Sequence, residues 1–164
     1  ERFDAVYESE LANGLGNLAS RVLAMVEKYR DGVVPSAEPA TLAEAGSEAL
    51  ARYETAMAAQ GLKGAAEAIN ELVSEGNRYI VVHAPWTLAK EGKDADLDTA
   101  LCELVSCLYR LCVMLFPFMP EKATALWTAL GQDGTPDAAW ANAKRPAMGG
   151  ASVRKPENLF QRKP

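Results

Sequence analysis

Apolar residues recur at spacings of three and four along most of the chain. Leu11, Leu15, Leu18, Val22, Met25 and Val26 set the pattern first and predict a long amphipathic helix over about residues 3–28, stopped by Asp31-Gly32. Pro35 and Pro39 then hold a connector out of helix. A second helix is expected from Thr41 to about Ala59, with Thr41 as N-cap, Glu44 as its capping-box partner, and Leu42, Ala45, Ala49, Tyr53 and Met57 on one side. Gln60-Gly61 is a turn. The third helix follows to about Val82, striped by Leu62, Ala65, Ala66, Ile69, Leu72, Val73 and Ile80. A link this short makes the second and third helices antiparallel neighbours.

Pro85 pushes Ala84 out of the α region, so the third helix ends or kinks there, with Trp86 at the break. Past a polar loop, Leu97, Leu101, Leu104, Val105, Leu108, Leu111, Cys112 and Leu115 form a helix apolar over a wide arc, expected to be the most buried element. Pro117 and Pro120 break it, and Pro120 fits the first turn of a short helix ending at Leu130-Gly131. Periodicity fades from Gln132 onward. The expectation is an all-α, up-down bundle of about five helices over residues 1–131. An irregular, extended tail, 132–164, is expected to pack back on the bundle or on a catalytic domain absent from this chain.

The first helix has a second face. At about 100° per residue, Asn13, Asn17 and Arg21 lie at roughly 0°, 40° and 80°, opposite the apolar stripe at roughly 120° to 220°. Two amides and a guanidinium thus stack a turn apart on the side away from the core, either as a solvated face or as a rigid ladder of hydrogen-bonding groups. Gly14 and Gly16 lie inside this helix, each costing about 1 kcal/mol relative to Ala, and point to close approach by another element.

Composition narrows the chemistry. Hydrophobic residues make up 49% of the 164, with few β-branched runs, which favours helix. The longest apolar run, Val113 to Met119, is far too short to span a bilayer, and no signal-peptide pattern opens the chain. Cys102, Cys107 and Cys112, five apart, scatter around a helix axis and read as reduced, core-filling thiols in a cytoplasmic protein. The net charge of −5 divides unevenly: residues 1–143 carry −10 and residues 144–164 carry +5. An acidic body argues against a broad nucleic-acid surface and leaves recognition of an anionic partner to a few placed residues or to the tail.

There is one histidine, His83, next to Ala84-Pro85, where a packing role is expected; no metal cluster, phosphate loop or paired-carboxylate site is legible. What remains is Asn13, Asn17 and Arg21, Trp86 at a helix break, and a basic tail. Asn offers donor and acceptor together, Arg a fork of donors and Trp a stacking plane, the groups that read unpaired bases.

On these residues the chain resembles the anticodon-binding domain of methionyl-tRNA synthetases. Leu11-Ala12-Asn13-Gly14-Leu15-Gly16-Asn17-Leu18-Ala19-Ser20-Arg21 is similar to that domain's first helix. Asn77-Arg78-Tyr79-Ile80 with Ala84-Pro85-Trp86-Thr87-Leu88-Ala89-Lys90 is similar to its Asn-x-Tyr-Ile and Ala-Pro-Trp-x-Leu-Ala-Lys segment. Pro117 to Gly131 resembles its last helix, and Lys155-Pro156-Glu157-Asn158-Leu159-Phe160-Gln161-Arg162 its closing motif. The sequence departs from the family at Val6, Glu8, Gly14, Asn158 and Gln161. The resemblance implies a helical bundle that receives a CAU anticodon, with Asn17 and Arg21 on the first base, Trp86 stacked on splayed bases and Asn13 in support. It implies a parent methionine–tRNA ligase that uses ATP and methionine. This chain shows neither the His-Ile-Gly-His nor the Lys-Met-Ser-Lys-Ser signature, no cofactor site of its own, and no chemistry that would make it an enzyme alone. Opening on Glu1, it reads as an excised C-terminal domain. Its expected partners are a tRNA anticodon loop and the catalytic domain of the same enzyme, with no membrane. Two alternatives stay open: a helical scaffold without RNA binding, and the equivalent bundle of another class I synthetase.

Overall fold

A computed structural model describes residues 5–144 and 146–154, without the side chains of residues 5–10, 12, 138 and 141. The helices are α1 (Ala5–Arg30), α2 (Thr41–Ala58), α3 (Leu62–His83), α4 (Pro85–Lys90), α5 (Asp94–Leu115) and α6 (Pro120–Ala129), followed by 3-10 turns over Pro136–Lys144. The described residues form no extended strand, only an isolated bridge between Val33 and Ser152. The bundle is all-α, as the periodicity requires, with five long helices and the six-residue α4, which the apolar pattern did not reveal.

Contacts between named residues fix the helix directions. On α1, Gly14 and Leu18 meet Val73 and Gly76 of α3 in the same order, so α1 and α3 run parallel. On α2, Leu42 meets Glu103 and Gly46 meets Arg110, so α2 and α5 also run parallel. Arg30 at the end of α1 holds Asp98 near the start of α5 at 2.7 Å, which makes α1 and α5 antiparallel. The order is up, down, up, down.

The stripe of α1 is buried as read: Leu11, Leu15, Leu18, Val22 and Val26 are fully enclosed, each contributing about 1.5–3 kcal/mol. Leu97, Leu101, Leu104, Val105, Leu108, Leu111, Cys112 and Leu115 make α5 the central element, buried on every side. Leu62, expected on the α3 stripe, is exposed instead, because it begins the helix beyond the reach of its neighbours. The three cysteines are free thiols. Burial pushes Cys107 up to about 12 and Cys112 well up, so both stay protonated.

The capping expectation at Thr41 is corrected. Thr41 is the first helical residue, and neither it nor Ala40 caps with a side chain. Instead the buried carboxylate of Glu103, from α5, accepts the N–H groups of Leu42 at 3.0 Å and Ala43 at 3.4 Å. A packed anion at a helix N-terminus satisfies orphan donors and the helix dipole together.

The stop after α1 is as read. Asp31 and Gly32 take φ of 55° and 81°, which Gly adopts without strain and Asp tolerates. The Gly32 carbonyl then accepts Val153 N–H at 2.7 Å, Val34 N–H donates to Ala151 at 2.9 Å, and Gly150 N–H donates to Val34 at 2.7 Å. Residues 150–153 thereby lie along the connector after α1, while Ala143, Met148 and Val153 join the core. The closing motif from Lys155 falls outside the described residues.

Candidate nucleic-acid interface

Two helices crossing at close range define the face that carries α1's polar ladder. A Cβ on Gly14 would lie 3.2 Å from Val73 Cγ1, and one on Gly76 would lie 2.8 Å from Leu18 Cδ2. Glycine at these points lets α1 and α3 approach, the close-packing role expected for Gly14. Along this seam Asn13 is half-buried and already engaged, whereas Asn17 and Arg21 are exposed. Arg21 Nη1 donates to Asn77 Oδ1 at 3.2 Å, and Asn77 Nδ2 donates to Val73 O at 3.2 Å.

The end of α3 is shaped by Pro85. Ala84 is left-handed at φ 44° and ψ 70°, its N–H donating to Ile80 O at 2.8 Å, and Pro85 opens α4 as its first residue. Pro85 is buried, and Leu88 and Ala89 pack on the core, which anchors α4 and leaves Trp86 47% exposed. Val81 and Val82 are also exposed, at 67% and 66%, an apolar patch that the stripe of α3 did not announce. His83 stacks on Tyr79 with ring centroids 3.8 Å apart, its Nδ1 3.1 Å from Tyr79 O, a packing role as expected. Burial, reinforced by Glu103 and Cys102, pushes the Tyr79 phenol up to about 12.

The structure thus joins Arg21 to Asn77 across 56 positions of sequence and puts Asn17 one turn before Arg21. Trp86 presents its ring beyond the end of α3. Asn77 belongs to a quoted motif but had no role in the sequence reading, because nothing local ties an α3 amide to an α1 guanidinium. Val81, four residues after Asn77, shares its side of α3.

The opposite side of α3 is hostile to phosphate. A groove of about 670 Å³ between α2 and α3 is lined by Glu44, Glu48, Glu67, Glu71 and Glu75, with Arg52 paired to Glu71 at 2.9 Å. Among the described residues no group of His, Cys, Asp or Glu is placed to hold a metal ion, and no helix is long and apolar enough to cross a membrane.

Comparison with known proteins adds an independent line. The profile of the anticodon binding domain of methionyl tRNA ligase matches residues 30–163. The methionine–tRNA ligase of Metallosphaera sedula is 36% identical over 97% of this chain and 28% of its own length. That of Halalkalibacterium halodurans is 36% identical over 93% of this chain and 24% of its own. The crystal structure of the apo form of Mycobacterium tuberculosis methionyl-tRNA synthetase superposes with a TM-score of 0.82 at 31% identity, covering 96% of this chain and 34% of that one. The chain spans about a quarter of the length of the curated relatives it matches.

Proposed function

This chain belongs to the family of anticodon-binding domains of methionyl-tRNA ligases, and from that membership we propose that its α1/α3 face reads the CAU anticodon of a methionine tRNA. The observation that carries the reading is the exposure of Asn17 and Arg21 on a helix whose other side is fully buried, on the same bundle as a Trp86 ring held out by a buried Pro85.

Cytosine, the first anticodon base, presents two acceptors and an exocyclic amine on its pairing edge. Arg21 donates toward the acceptors and the Asn17 carbonyl accepts from the amine. Uracil keeps the O2 acceptor but turns the ring nitrogen into a donor and the amine into a carbonyl, so Arg21 meets a donor at the ring nitrogen and the Asn17 carbonyl meets another carbonyl unless its amide turns over. Each polar group left unpaired in a desolvated contact costs about 1–3 kcal/mol. Trp86 stacks on the splayed bases, worth about 1–3 kcal/mol per base. Asn13, a turn before Asn17, supports the ladder from its half-buried position. In this reading ATP, methionine and the aminoacylation step belong to the rest of a longer cytoplasmic ligase, and the present chain supplies tRNA identity and a docking partner for the catalytic domain.

Fluorescence anisotropy with CAU and UAU stem-loops tests the assignment. The unaltered chain is expected to favour CAU by about tenfold, a difference of about 1.4 kcal/mol. Arg21→Ala removes that preference, and Trp86→Ala weakens both loops by about tenfold or more. Full discrimination and affinity in both variants would sink these roles, and binding of neither loop by the unaltered chain would favour a scaffold without RNA contact.

A further inference from the structure

Arg21 is exposed, yet its guanidinium is not left to wander. Asn77 Oδ1 accepts from Nη1 at 3.2 Å, and the amide is itself oriented, because its Nδ2 donates to Val73 O one turn back on α3. An asparagine side chain can present either end to a neighbour. The Val73 carbonyl takes the donor end, so the acceptor end faces Arg21. Val73 also fixes the spacing of the two helices, since its Cγ1 lies where Gly14 leaves room for no side chain without a shift. One residue therefore sets both the distance across the seam and the polarity of the group presented there.

We infer that Asn77 is a positioning residue for base reading, holding the Arg21 guanidinium in the orientation that meets the cytosine edge; this rests on the α1/α3 reading proposed above. One Nη1 hydrogen is occupied by Asn77. The remaining donors of the fork stay available to a base, in a plane set before the base arrives. Ordering a long side chain in advance removes part of the entropy otherwise lost on binding, corresponding to about a three- to tenfold gain in affinity for the base that uses it. Because the gain depends on donors meeting acceptors, it is larger for cytosine, with adjacent O2 and N3 acceptors, than for uracil, whose O2 lies beside an N3–H donor. Asn77 thus acts on the ratio between the two loops, whereas a residue that only stabilises the fold acts on both alike.

The test measures CAU and UAU stem-loop affinity for the full chain, Asn77→Ala and Asn77→Leu, each with and without Arg21→Ala, with circular dichroism to verify folding. Both single Asn77 variants are expected to lose three- to tenfold in the CAU to UAU ratio, while neither changes the ratio once Arg21 is Ala. If Ala lowers the ratio but the similarly shaped Leu keeps it, the amide is not the agent and the inference falls. It also falls if the ratio drops as much in the Arg21→Ala background. Absence of any CAU preference in the unaltered chain overturns instead the reading on which the inference rests.

Discussion

An arginine that is 2% exposed, Arg110, lies against Gly46, and its surroundings show how much a single position can hold. Arg110 donates from Nη2 to Lys144 O at 3.4 Å, while Nε and Nη1 find no acceptor. A Cβ on Gly46 would fall 2.7 Å from Arg110 Cδ and 2.9 Å from Nε and Nη1. Gly46→Ala therefore has two opposed effects: about 1 kcal/mol of helix propensity gained, and a buried arginine pushed out of its packing against α2. Overpacking of this kind costs about 1–3 kcal/mol, so a net loss of stability is expected in urea unfolding, and a variant as stable as the parent would contradict it. Legibility at this scale follows helix phase. Asn17 and Arg21 are exposed where the angles around α1 put them, and Pro85 marked the break that presents Trp86. Glu103 and Arg110 were illegible, because they sit within α5's apolar arc and their burial is decided by α2, some 60 residues earlier in the chain.

Elements were read well where two turns or more of periodicity accumulate, and poorly where structure depends on another element. The five long helices fall within a few residues of their expected limits, whereas α4 is six residues behind a proline, too short for its period to register. The start of α2 is the instructive case. Thr41 and Glu44 form a capping-box spacing, but the donors at Leu42 and Ala43 go to Glu103, because a carboxylate already buried on α5 is a stronger acceptor than a hydroxyl. The α2 N-terminus is thus tied to the packing of α5. Glu103→Ala is expected to cost about 1–3 kcal/mol, leaving the Leu42 N–H without its acceptor while Ala43 N–H keeps its bond to Ala40 O, and Thr41→Ala to cost little. Urea unfolding of the two variants ranks them, and amide exchange at Leu42 should accelerate only in the first. The opposite order would restore Thr41 as the cap.

For the whole molecule, charge decides what kind of RNA contact is available. The up-down arrangement turns the two sides of α3 to different uses: Val73, Gly76 and Asn77 meet α1, while Glu67, Glu71 and Glu75 line the groove with α2. The proposed reading face and the acidic groove therefore lie on opposite sides of one helix. The sequence conveyed the acidic total but not this division, since helix directions are needed to put charges on sides. A body of this sign repels a sugar–phosphate chain beyond the point of contact. Binding should then draw on base stacking and edge contacts with few phosphates, so log affinity for the CAU loop should fall with log salt at a slope no steeper than about −2, equivalent to about three phosphates on a single strand. Neutralising the groove with Glu44→Gln and Glu48→Gln is expected to raise affinity for CAU and UAU loops by a similar factor at low salt and to leave their ratio unchanged, because a distant field acts on the backbone and not on base identity. A slope near −5, or a ratio that changes with the groove charges, would mean that the RNA tracks along the α2/α3 side and that base reading by Asn17 and Arg21 is not what selects the loop.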